Sequence, residues 1–182
     1  SLEDLDHYKS SVEFAEKKID RLQKDIESSE ESIKELNEKC EHLPDNVEIP
    51  EDPTAKIRKV SNEISSLELS IAKLKERSES SKKKISILSD VPCGDNFPHC
   101  KFLIDAFAAK NELPAKVNEI NSLELLLNDS RNELDSLRKY EKKWKEAVTE
   151  AANNENIRNQ LARSKQKLEL LQLHLKQAHS IL

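Results

Sequence analysis

The chain has 182 residues, 36% of them charged and only 4% aromatic, with a net charge of −5 and a single glycine, Gly94. One glycine excludes a fold rich in tight turns, which draw on glycine for positive φ. The interspersed acids and bases leave no basic face suited to nucleic acid, and no apolar run approaches the length of a membrane span.

High charge at modest apolar content reads either as disorder or as long helices, and the apolar residues decide, because they are periodic. The first run is Ile19, Leu22, Ile26, Ser29, Ile33, Leu36, Cys40, Leu43. Its alternating steps of three and four are the a/d seam of a coiled coil. Leu2, Leu5 and Val12 are a looser start to the same helix, which occupies residues 1–43. Cys40, on the seam, reads as a small buried hydrophobe. His7, His42, His174 and His179 sit on or beside helices without a partner cluster.

Residues 44–53, PDNVEIPEDP, hold three prolines and four acids. Proline removes a helix donor and clashes with the preceding turn, so this segment is a loop interrupting the arm. A second ascending helix occupies 54–90, with the seam Ile57, Val60, Ile64, Leu67, Ile71, Leu74, Ser78, Ser81, Ile85, Leu88. Thr54 or Asp52 caps its start and Pro92 ends it.

The only strongly non-helical centre is 91–101, with Pro92, Gly94, the Asp95-Asn96 pair and Pro98, which is turn chemistry. A descending helix fills 102–182. A break is expected at 111–114, where Asn111 would cap a helix holding Pro114 in its first turn. Its seam reads Ile120, Leu123, Leu127, Ser130, Leu134, Leu137, Glu141, Trp144, Val148, Ala151. The phase slips across 152–156 and restarts at Ile157, Leu161, Ser164, Leu168, Leu171, Leu175, Ala178, Leu182, a stutter-like discontinuity. The expected fold is all-α, a long antiparallel coiled-coil hairpin with a short apical loop. Folding at the centre sets the loop at 44–53 opposite 140–149, beside the slip at 152–156, so the two arms break at one height and form a candidate joint. Looping out the 44–53 segment would bring Leu5 near Leu182. Serines in the seam weaken it locally.

Chemistry concentrates at the apical turn. Cys93 and Cys100 flank it with six residues between them. Zinc favours thiolates and takes four ligands. One tip offers two cysteines, and two tips meeting head to head offer four. His99 is a less favoured substitute ligand, being adjacent to Cys100. A local disulfide between Cys93 and Cys100, or a plain apolar turn, is the competing reading. Phe97, Phe102 and Phe107 lie close by in sequence and suggest an apolar knot. Phe97, Pro98 and Phe102 would supply the contact surface of a tip-to-tip dimer.

Two long heptad arms around Pro92-Cys93-Gly94 and Pro98-His99-Cys100-Lys101-Phe102 resemble the zinc-hook region of SMC-like DNA-repair and recombination ATPases of the SbcC type, including those of large phages. The resemblance implies a homodimer joined at the tips through one zinc ion held by Cys93 and Cys100 of each chain. It also implies an ATPase head elsewhere that works with a nuclease subunit and contacts DNA. The usual hook has two residues between its cysteines, and this chain has six. No phosphate-binding glycine loop is present, so the chain is expected not to be an enzyme by itself. It begins with Ser and contains no Met, which reads as a segment of a longer protein. The expected location is intracellular, in cytoplasm or at the nucleoid or nucleus.

Two functional classes follow. One is a tether with a metal-dependent dimerising tip in DNA repair or recombination, without membrane contact. The other is a purely structural coiled-coil scaffold whose tip is only a turn.

Overall fold

A computed structural model describes residues 1–181 of the chain. Helix α1 spans Leu2–Glu41, α2 Thr54–Asp90 and α3 Ile104–His179, with a short 3₁₀ turn at Gly94–Asn96. No strand occurs among the described residues, so the fold is all-α.

The helix ends follow from local chemistry. Ser1 caps α1: its hydroxyl accepts the Asp4 N–H, and the Asp4 carboxylate accepts from the Ser1 amino group at 3.1 Å. This reciprocal pairing is a capping box. At the start of α2 the Asp52 carboxylate accepts from the Thr54 N–H at 2.9 Å and the Thr54 hydroxyl at 2.6 Å. Helix α2 stops at Asp90, because Val91 precedes proline and takes the extended conformation, φ −102° and ψ 145°.

The chain divides into two compact units, one of Glu51–Trp144 and one of Ser1–Pro50 with the chain from Lys145 onward. In the first, α2 and α3 are cross-linked in reversed order. The Lys116 ammonium donates to the Ser81 hydroxyl, Lys75 pairs with Glu124 and Arg131 pairs with Glu68, each at 3.0 Å. The Tyr140 hydroxyl donates to the Glu51 carbonyl at 2.9 Å. One index rises as the other falls, which is the order of an antiparallel pair. The α2 seam positions from Ile57 to Leu88 are all buried or half-buried, as are Ile120 to Trp144 on α3. In the second unit Ile19 and Leu22 of α1 pack with Ala178, Leu171 and Leu175 of α3. Here the Arg158 guanidinium donates to the Pro44 carbonyl.

Three expectations need correction. Helix α3 runs unbroken through Asn111–Pro114. Proline in a helix interior costs about 3 kcal/mol, but Ala106 and Ala109 before it and Ile120 after it are buried, and packing on both sides holds the helix continuous. At 152–156 the helix is continuous and the phase of its buried face slips as the spacing predicts, with Ala147 half-buried in place of the exposed Val148. The descending helix starts at Ile104, not 102, because a turn closed by the Leu103 N–H on the Cys100 carbonyl (2.9 Å) precedes it. The loop at 44–53 is not looped out. It meets α3 at Arg158 from Pro44 and at Tyr140 from Glu51. Extended residues rise about 3.3 Å each against 1.5 Å in a helix, so residues 44–50, within their own unit, form a strap held to α3 at Arg158. Ala178 is level with Ile19, and Leu5 stays 49% exposed; the expected partner, Leu182, lies outside the described residues.

Candidate functional site

The turn between α2 and α3 is built on a small core. Leu88, Leu103 and Ala106 are buried together, and Val91, Cys93, Cys100 and Phe107 pack half-buried against them. Four backbone hydrogen bonds shape the turn: Gly94 N–H to the Val91 carbonyl, Asn96 to Cys93, Cys100 to Phe97 and Leu103 to Cys100, at 2.9–3.2 Å. Gly94 sits at φ +45°, a conformation that costs an L-residue roughly 1–2 kcal/mol. The one glycine of the chain is thus spent where the backbone needs it. The Lys110 ammonium reaches back to Asp95 at 3.2 Å and pins the turn to α3.

Cys93 and Cys100 are both free thiols, both half-buried and both on the wall of one hollow of about 580 Å³. Asn96, Phe97, Pro98 and His99 complete that wall. Cys93, Cys100 and His99 all line this hollow although six residues separate the thiols. Comparison with protein-family models, with curated proteins and with solved structures returned no match.

The three nearby phenylalanines do not behave as one group. Phe107 joins the small core, whereas Phe97 is 61% and Phe102 94% exposed. Pro98 and His99 are exposed as well. Leu103 and Ala106, which complete the core beneath the thiols, carry no chemical signature; their signal is helical spacing from Phe107 and Ala109. The Asp95–Lys110 pair is equally silent in sequence, because fifteen residues separate its members.

The donor set suits a soft or borderline cation such as zinc. Among the described residues no three His, Cys, Asp or Glu side chains gather into a ready ligand group. One chain offers two thiols with an imidazole next to one of them, half of a tetrahedral zinc shell. A second copy of the same turn would complete it.

No described helix is long and apolar enough to cross a membrane.

Proposed function

We propose that this chain is a coiled-coil tether whose turn joins two copies through a shared metal ion. The observation that carries the reading is that Cys93 and Cys100 line a single hollow together with the exposed Phe97, and that Phe102 in the same turn is exposed as well. Exposed phenylalanines at a turn lose apolar surface to water when two copies meet, at about 25 cal/mol per Å² removed. Cys93 and Cys100 of each copy hold the metal, with His99 as the substitute ligand. The metal supplies a cross-link that forms only when the thiols are deprotonated, so it responds to pH and to chelators. The resemblance of Pro92-Cys93-Gly94 and Pro98-His99-Cys100 between long heptad arms to the zinc hooks of DNA-repair and recombination ATPases is what supports reading the tether as part of such a complex. In that setting it would link two ATPase heads working with a nuclease subunit.

The decisive experiment is elemental analysis with light scattering on reduced protein, with and without chelator. The expected result is about half a zinc ion per chain and a dimer that chelator dissociates. Cys93→Ser with Cys100→Ser should give a metal-free monomer of unchanged helix content. Metal-free wild-type protein of monomeric mass would overturn the reading and leave a structural coiled coil.

A further inference from the structure

Past residue 144 the buried face of α3 no longer keeps heptad time. The covered positions run Ala147, Ala151, Asn154, Ile157, Leu161. Two consecutive steps of three replace a three and a four, which rotates the stripe relative to the helix. The rotation draws an asparagine into the seam. Asn154 is 6% exposed, and its side-chain Nδ2 has no hydrogen-bond partner. A buried amide donor without an acceptor destabilises the state that buries it.

Arg158 lies one turn beyond Asn154 on the same face of α3 and donates to the Pro44 carbonyl. In the antiparallel order, the residues after Pro44 run toward Asn154. The strap is lightly held. Leu43, Val47 and Pro50 are half-buried while Asp45, Asn46, Glu48 and Ile49 are exposed. Among the described residues no backbone hydrogen bond ties down 45–49.

We propose that the strap is a two-state cover over α3 and that Asn154 biases it toward opening. Closed, the strap shelters Val47 and Pro50 but leaves the amide unpaired. Lifted, it gives the amide water and regains backbone entropy, at the loss of a little apolar contact and one bond from Arg158. Such opening is local and needs no unfolding of α1 or α3. It is independent of any metal at the 91–103 turn.

The test is cleavage after Glu48 by a glutamate-specific protease, which needs the strap free of α3. Asn154→Leu removes the unpaired donor and should slow that cut about tenfold. Asn154→Asp keeps the shape but places a carboxylate in the buried site, and should speed it about tenfold at pH 7. Cuts within the helices should keep their wild-type rates in both variants. An Asn154→Leu protein with unchanged helix content that is cut after Glu48 as fast as wild type would overturn the proposal. If that variant loses helix content, Asn154→Asp decides alone, and a wild-type rate for it is equally fatal.

Discussion

Single residues at the ends and bends of this chain carry more than their share of its conformation. Asp52 is the clearest case. The Thr54 hydroxyl and then the Thr54 N–H donate to its carboxylate, which holds its pKa below the ordinary value. A carboxylate with a lowered folded pKa stabilises the fold above its unfolded value, about 3.9. That contribution is lost as pH falls through the still lower folded value. Asp52→Ala should therefore lower the melting temperature at pH 7 and make no difference at about pH 2, as followed by circular dichroism. The helix start was legible in the sequence, since Asp and Thr beside a proline announce one, but the N-cap position is Pro53, and Asp52 holds Thr54 from the residue before it. Asn154 was not legible. Counting apolar residues passes over an asparagine, and only the rotated stripe of α3 shows that it lies inside. The exposure of Phe97 and Phe102 was hidden for a related reason: proximity in sequence groups all three phenylalanines, whereas the turn geometry admits only Phe107 to the core beneath Cys93 and Cys100.

Among the elements, boundaries near the prolines at 44, 53 and 92 were legible, because each proline removes a helix donor at or beside an element end. Pro114 carries the same local signal with the opposite result. Buried Ala106, Ala109 and Ile120 dock α3 on both sides of it, and tertiary packing outweighs the missing bond. Pro114→Ala should restore that bond and stabilise the protein by up to about 3 kcal/mol, read as a higher urea midpoint with no change in helix boundaries. A lower midpoint would mean that the proline makes packing contacts worth more than the bond it removes. The strap was recognised as a loop, but its course was not. A loop drawn from composition has no direction, and the carbonyls of Pro44 and Glu51 are found only once Arg158 and Tyr140 are seen to reach them.

For the molecule as a whole, the apolar seam supplies the stability and the charges do not. The cross-helix ion pairs Lys75–Glu124 and Arg131–Glu68 are roughly half exposed on both partners, so solvent and salt screen them. Leu22, by contrast, is 9% exposed within the cluster of Ile19 and Ala178. Leu22→Ala should cost about 2 kcal/mol, while Arg131→Ala should cost no more than about 0.5 kcal/mol. Denaturant titration of the two variants compares them directly. A larger loss for Arg131→Ala would show that ion pairs dominate. The all-helical class and nearly every seam position were readable from spacing alone, because a two-helix seam is a one-dimensional code with period 3.5. The register of one helix against the other was not readable, since many offsets satisfy the same period.

The strap also bears on how such a chain can change in length. Inserting one residue into α1, α2 or α3 turns every later side chain by about 100° and takes the apolar stripe off its partner, so the helices tolerate insertions chiefly in multiples of seven. Residues 44–50 carry no stripe to rotate. Additions and deletions of one or two residues there leave the seams of α1 and α2 facing α3 as before, and homologous chains should differ in length at this segment more freely than anywhere in the helices.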